Sequence, residues 1–406
     1  MKKRNKNNSR VKNAGLKANK PKESRSGITH IKVIGVGGGG TNAISRMMAG
    51  ERPRGVEFIA VNTDAQDLDY AVAHKKIYIG KALTRGLGAG MNPEIGKQAA
   101  EENRSEIGEA LEGADIVFVT AGMGGGTGTS GSAVVAEIAR EKGILTIAVV
   151  TKPFAFEGAQ RMNIAQEGLG RLKEKVDALV VIPNDRIFSL IDKDTPILKA
   201  FASIDDVLKQ SVQAITELIN MPGIINVDFA DIKTILKDAG TTLIGIGTAS
   251  GQDRGMKAVN TAINSPLLEV ALEGAKGIVF SIAGSRDLKM SEINDIAKAI
   301  SANLDSNARV IFGAYHDRSL KDNALKVTVI ATGFNGAFPQ HSMIPTLFMT
   351  SDGAKKDTKI ELNQAKIDKE EEMMGEEKER KPKLAALSLE KNEPWDIPTF
   401  LRKKKK

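Results

Sequence analysis

Two glycine-rich segments constrain this chain more than any other feature: residues 35–43 (GVGGGGTNA) and residues 122–130 (GMGGGTGTS). Each follows a short apolar run and precedes an apolar-patterned stretch, so each reads as strand, glycine loop, helix. Glycine lets backbone N–H groups turn inward and approach an anion closely, and a helix N-terminus adds positive potential. One such loop is commonplace; two in one chain point to a polyphosphate held from two sides. The flanking pattern extends the same alternation. Strand candidates lie at 31–36, 57–62, 76–79, 114–120, 145–150 and 178–182, with helical stretches at 92–111 and 132–141. Near-continuous apolar strands alternating with helices predict a Rossmann-like α/β domain whose parallel sheet is covered on both faces.

The second half reads differently. Apolar residues at 201, 204, 208, 212, 215 and 219 mark one face of a long helix, which Met221-Pro222-Gly223 stops. Strand candidates at 241–246, 277–282, 308–312 and 326–331, with a helix at 290–304, predict a smaller α/β domain. The expected organisation is a disordered basic arm (1–28), a nucleotide-binding domain (29–200), a central helix (201–223) and a C-terminal α/β domain (224–334). A disordered charged linker (335–393) and a terminal peptide (394–406) follow.

Composition removes several function classes. With no cysteine, disulfides and thiolate metal sites are excluded, and four histidines scattered at 30, 74, 316 and 341 speak against a histidine-rich metal centre. No apolar run is long enough to span a bilayer, so the expectation is a soluble cytoplasmic protein. The net charge of +8 is uneven: residues 1–25 carry +9 and residues 401–406 carry +5, which leaves −6 on residues 26–400. Basic ends of this kind read either as solubilising tails or as arms for weak contact with anionic lipid or nucleic acid.

Residues 35–40 alone also fit a dinucleotide fingerprint, with Asp64 placed as a ribose-binding acid. Three features favour a triphosphate instead. The run has four consecutive glycines. The second loop adds Thr127 and Thr129, whose hydroxyls suit phosphate. A third flexible stretch, residues 86–93 (GLGAGMNP), also ends at a helix start. No Gly-x-x-x-x-Gly-Lys-[Ser/Thr] sequence is present, so the chain is not a P-loop protein.

Residues 31–43, 61–66 (VNTDAQ), 83–96 (LTRGLGAGMNPEIG), 122–130, 182–186 (IPNDR) and 226–231 (NVDFAD), with the stretch from Thr151 to Arg161, together resemble the tubulin/FtsZ superfamily of division GTPases. The peptide from Asp396 to Arg402 (DIPTFLR) resembles that family's tail. The resemblance covers about 31–334 and the last dozen residues, in order and at matching spacing. It implies GTP and GDP as ligands, with Mg2+ carried by the phosphates. Gly38, Gly39, Gly40, Thr41 and Asn42 would touch the α- and β-phosphates. Gly124, Gly125, Gly126, Thr127 and Gly128 would surround the phosphates. Ala89 and Gly90 would sense the γ-phosphate, and Glu157 and Arg161 would stand at the ribose and phosphate. Asn184, Phe201 and Asp205 would form the guanine pocket, where a carboxylate can accept two N–H groups that adenine lacks and an aromatic face stacks.

Asn226, Asp228 and Asp231 allow two readings. Either acid could cap the helix that follows. The resemblance instead assigns all three to a catalytic loop that reaches the nucleotide of the next subunit and orients water. A head-to-tail contact that does not close then builds a filament. The resemblance thus implies a tubulin-like GTPase that polymerises into the ring at the bacterial division site, near mid-cell, with GTP hydrolysed between subunits. One departure stands out: Ser130 replaces the family's usual final glycine. If that position needs positive φ, serine strains it; if it only starts a helix, serine caps it. The terminal peptide, with the chain's only tryptophan, Ile397, Phe400 and Leu401 beside five cations, reads as a partner-recognition segment. The resemblance implies that the partner is a membrane adaptor or division regulator.

Overall fold

The computed structural model describes residues 29–334, apart from 50–54, 190, 192–193, 266–273, 303, 305–306 and 318. The basic arm, the linker and the tail peptide lie outside the described residues. In chain order the elements are β1 (Ile31–Val36), α1 (Gly37–Ala49), β2 (Val56–Asn62), α2 (Ala65–Tyr70), β3 (Lys75–Tyr78), α3 (Lys81–Thr84), α4 (Pro93–Glu102), α5 (Arg104–Ala110) and β4 (Ile116–Gly122). A π-turn (Thr127–Gly131) leads into α6 (Ser132–Glu141), then β5 (Leu145–Lys152), α7 (Ala159–Lys173), β6 (Ala178–Pro183) and the long α8 (Ile197–Asn220). The remainder is β7 (Gly223–Ile225), α9 (Phe229–Leu236), β8 (Gly240–Ser250), α10 (Arg254–Ile263), β9 (Gly277–Gly284), α11 (Met290–Ser301), β10 (Arg309–His316) and β11 (Ala324–Thr332).

The strands form one sheet in the order β3-β2-β1-β4-β5-β6-β8-β11-β9-β10-β7. The first six are parallel, as their apolar runs predict. Strand order reverses between β1 and β4, and ligands of open α/β sheets bind at such a switch point, beyond the carboxyl ends of the strands. Both glycine loops leave the sheet at that place. The second half joins through a short parallel step, Ala178 opposite Gly240 and Leu179 opposite Thr241. There the sheet turns mixed: β11 runs antiparallel to β8 and β9, β9 and β10 are parallel, and β7 pairs antiparallel with β10.

Helix α8 packs against both halves. Ile204, Leu208, Val212 and Ile215 of its apolar stripe are buried. The last three join a core cluster that also holds Val33, Phe118, Ile235 and Val279, while Ile204 packs in a smaller cluster with Phe154 and Ile187. The helix begins four residues before the periodic stripe, directly after Pro196. The expected helix at 92–111 is two helices. Asn92 caps α4 by accepting the N–H groups of Glu94 and Ile95. Asn103 interrupts the run, because its side-chain oxygen is used to accept the Gly80 N–H at 3.0 Å. Strand β8 outruns the expected 241–246, and α10 was not expected. The extra length of β8 is paired with β11 out to Ser250 opposite Ala324. Helix α10 is received by Gly245 and Gly247: a Cβ there would lie 2.1 and 2.0 Å from the Ala262 and Ala258 carbonyl oxygens of α10. The two glycines let helix backbone rest on strand backbone. Among the described residues no helix is long and apolar enough to cross a membrane.

Candidate functional site

At the switch point the two glycine loops rest on each other. Gly37 has φ +69°, and a Cβ on it would sit 2.8 Å from the Gly128 nitrogen. A Cβ on Gly40 would lie 2.4 Å from the Thr120 carbonyl oxygen. The third loop joins them, with the Gly126 N–H donating to the Gly90 carbonyl at 2.7 Å. Backbone-to-backbone packing of this kind admits no side chain, so glycine serves the mutual contact of the loops as well as their approach to a ligand.

Together these loops enclose a cavity of about 410 Å³, within the range of small-ligand sites. Gly38, Gly39 and Asn42 line it from the first loop, and Gly125, Gly126, Thr127 and Gly128 from the second. Ala89 and Gly90 contribute from the third loop, Glu157 from the 3-10 turn before α7, Arg161 from the first turn of α7, and Asn184, Phe201 and Asp205 from the far wall. Fourteen of the seventeen expected ligand-binding residues therefore meet at one cavity. The exceptions have physical reasons. Gly40 faces β4. The Thr41 hydroxyl turns back to donate to the Gly38 carbonyl at 3.0 Å. Gly124, at φ +96°, turns the chain and donates its N–H to Thr129 Oγ1 at 2.9 Å. That bond also corrects the reading of Thr129, which is buried and braces its own loop instead of facing a phosphate. Thr127 does line the cavity, its hydroxyl 2.6 Å from that of Thr63.

Several side chains here are held before any ligand arrives. Glu157 and Arg161 form a part-buried ion pair, and Glu157 Oε1 also accepts the Phe154 N–H at 2.9 Å. This is a built wall of the cavity and not the exposed helical pair that spacing alone would allow. Asp205 Oδ2 lies 2.8 Å from Arg46 Nε, with both side chains mostly buried. The only signal of Arg46 in the sequence is its place four residues after Asn42 on α1, on the same helical face. Phe201 packs edge-on to Phe154, ring centroids 5.6 Å apart. Asn62, Thr63 and Asp64 also line the cavity.

Two buried polar atoms in the lining have no hydrogen-bond partner: Asn184 Oδ1, an acceptor, and Asn62 Nδ2, a donor. An orphaned buried group costs about 1–3 kcal/mol, so such atoms mark where a ligand's own polar groups belong. A nucleotide polyphosphate has both kinds, N–H groups on the base and oxygens on the phosphates. The lining fits it.

Ser130 lies inside the π-turn, buried and absent from the residues with positive φ. The position therefore imposes no left-handed strain. Nor does serine cap α6, since Gly131 occupies that place.

The acidic loop stands elsewhere. Asn226, Asp228 and Asp231 are exposed and none lines the cavity. Asp228 occupies the N-cap position of α9, yet its side chain accepts no bond there. Neither its carboxylate nor that of Asp231 has a hydrogen bond or ion pair among the described residues. Asn226 is different: its side-chain oxygen accepts the Gly223 N–H at 2.6 Å, so it braces the loop.

Comparison with known proteins decides the family. Residues 30–192 match the tubulin/FtsZ family GTPase domain, and residues 240–335 match the FtsZ family C-terminal domain. The chain belongs to the FtsZ family. Among solved structures it is similar to an empty FtsZ dimer from M. jannaschii, at 46% identity and a TM-score of 0.71, over 76% of this chain and 89% of that one. It shares its fold with CetZ2 from Haloferax volcanii in a GTPγS-bound protofilament, at 22% identity and a TM-score of 0.66, over 75% of this chain and 92% of that one. Membership makes the protein a GTP-binding, GTP-hydrolysing member of a cytoskeletal family. The dinucleotide reading of residues 35–40 falls with it. Asp64, its ribose candidate, instead caps α2 by accepting the Gln66 and Asp67 N–H groups at 3.0 and 3.1 Å.

Proposed function

We propose that this protein assembles head-to-tail into filaments and hydrolyses GTP where one copy's acidic loop meets the next copy's cavity. The observation that carries this is a mismatch within one chain. Acids lining the cavity are engaged: Asp64 as a cap, Asp205 with Arg46, Glu157 with Arg161, and Asp67 in bonds of its own. The free carboxylates, Asp228 and Asp231, stand outside it. A second copy would bring them to the open side of the cavity.

In this arrangement the glycine loops hold the phosphates through backbone N–H groups, with Thr127 adding a hydroxyl. Glu157 and Arg161 stand at the ribose side, Asn184, Phe201 and Asp205 at the base. Mg2+ bound with GTP would offset charge on its phosphates. Asp228 and Asp231 of the neighbour hold and orient the attacking water. Asn226 acts indirectly, by shaping the loop that carries them. Phosphoryl transfer depends mainly on such positioning and on charge stabilisation, so a site split between copies is complete only in the polymer. Hydrolysis then loosens the contact that made it possible and drives filament turnover.

The M. jannaschii relative was solved as a dimer and the CetZ2 structure is a protofilament, which supports assembly by this chain as well. The cellular role we infer is the cytokinetic ring, on the cytoplasmic side of the division site, with residues 394–406 docking onto a membrane adaptor. Asp231→Ala tests the mechanism: it should keep GTP affinity and lose turnover. Lost binding would make the loop a structural part of the cavity and contradict the shared site.

A further inference from the structure

Glu217 lies in the last turn of α8, and its carboxylate accepts three donors. Gln213 Nε2, one turn earlier, donates to Oε1 at 2.6 Å. Tyr315 Oη on β10 and Lys326 Nζ on β11 both donate to Oε2, each at 2.8 Å. Lys326 also reaches Asp317 Oδ2 at 3.3 Å. The Glu217 and Lys326 side chains are only 15% and 19% exposed, and Tyr315 is 4% exposed. A network this enclosed has fixed geometry, unlike a surface ion pair. Burial, and then the neighbouring Glu217 carboxylate, push the Tyr315 hydroxyl well above its ordinary range, so it stays a donor. Burial alone would raise Asp317; hydrogen bonds from Ser319 and the charge of Lys326 more than cancel that and hold it below the usual carboxylate range.

The network stands where the acidic loop begins. The Glu217 carbonyl accepts the Met221 N–H at 2.8 Å, which ends the helix. Two residues later β7 pairs with β10, and the residue opposite Gly223 is Tyr315. Tyr315 therefore holds the helix end through its hydroxyl and the next strand through its backbone register. A Cβ on Gly223 would lie 2.8 Å from the Ala314 carbonyl oxygen, so β7 lies close on β10. The Asn226 brace and the Asp231 N–H, which donates to the Asp228 carbonyl at 3.0 Å, complete the path. None of Glu217, Tyr315 and Lys326 lines the nucleotide cavity.

We propose that Glu217, Tyr315 and Lys326 are positioning residues for hydrolysis, setting where Asp228 and Asp231 stand against the cavity of a second copy. This rests on the shared-site reading above. The clasp acts on turnover through the acidic loop and leaves the chain's own nucleotide site alone.

The test uses full-length Tyr315→Phe, Lys326→Met and Lys326→Arg, with Asp231→Ala in parallel. Two quantities are measured: GTP affinity of unassembled protein, and turnover per subunit at saturating protein concentration. Tyr315→Phe keeps the buried ring and removes one donor, so it tests the clasp without a cavity in the core. It and Lys326→Met should leave GTP affinity unchanged and lower turnover by about tenfold to a hundredfold, since a 1 Å misplacement of reacting groups can cost about a hundredfold. Lys326→Arg, which keeps a cationic donor, should restore most of it. Unchanged turnover in both variants would overturn the proposal, and so would an equal fall in GTP affinity, which a general loss of structure would cause. Full turnover in Asp231→Ala would overturn the shared site itself. Lost turnover there, with none lost in either Tyr315→Phe or Lys326→Met, would remove only the clasp.

Discussion

A methyl group on Gly126 would lie 2.5 Å from the Asn92 carbonyl oxygen and 2.9 Å from Ala89 Cβ. Both neighbours belong to the stretch that carries Ala89 and Gly90 into the cavity, so Gly126→Ala must push that wall away. The expected outcome is a folded protein whose GTP dissociation constant rises at least about tenfold, or ~1.4 kcal/mol, in a fluorescent-nucleotide titration. An unchanged constant would mean the loops do not depend on their contact. Other single residues show where sequence reading stops. Thr127 and Thr129 look equivalent in a glycine-rich loop, yet one faces the cavity and the other is consumed by the Gly124 N–H. Arg46 has no signal beyond its helical spacing from Asn42. Asn226 sits in an acidic motif but bonds within its own turn. Residue type and spacing identify the neighbourhood; the direction of each side chain comes from partners far away in sequence.

At the scale of elements, apolar periodicity carries most of the fold. The buried stripe of α8 and the parallel strands β1 to β6 follow from it. The exceptions lie where polar or glycine residues perform tertiary work: Asn103 splitting α4 from α5, and Gly245 and Gly247 receiving α10. Helix α10 is held by charge as well. The Arg254 guanidinium, almost fully buried, bonds Glu292 at 2.7 and 3.0 Å and Asp287 at 2.7 Å, which ties α10 to α11 and the loop before it. The hydrogen bond from Arg254 holds the Glu292 carboxyl below its usual range despite some burial. A carboxylate depressed in the folded state adds stability that is complete above the unfolded pKa and is lost as pH falls through the folded one. Glu292→Gln should therefore lower the melting temperature at neutral pH. The gap from the parent protein should narrow below the ordinary glutamate range and close below the depressed folded value. A gap that did not change with pH would place the effect in packing.

The whole molecule joins a nucleotide cavity at one end of its parallel sheet to an acidic loop after the central helix, and one chain does not bring the two together. The adaptor docking proposed above would fall to residues 394–406, which lie outside the described residues. Deleting residues 394–406 should leave GTP turnover of purified protein intact and disperse the division-site signal of a fluorescent fusion; a sharp signal would remove the adaptor role from the tail. The central claim is that hydrolysis needs two copies. The direct measurement is phosphate release per subunit as a function of protein concentration at saturating GTP. A shared site predicts almost no turnover at low concentration, then a steep rise to a plateau as subunits associate. Turnover per subunit that is constant down to the lowest concentrations would mean each chain hydrolyses GTP alone, and would contradict the account.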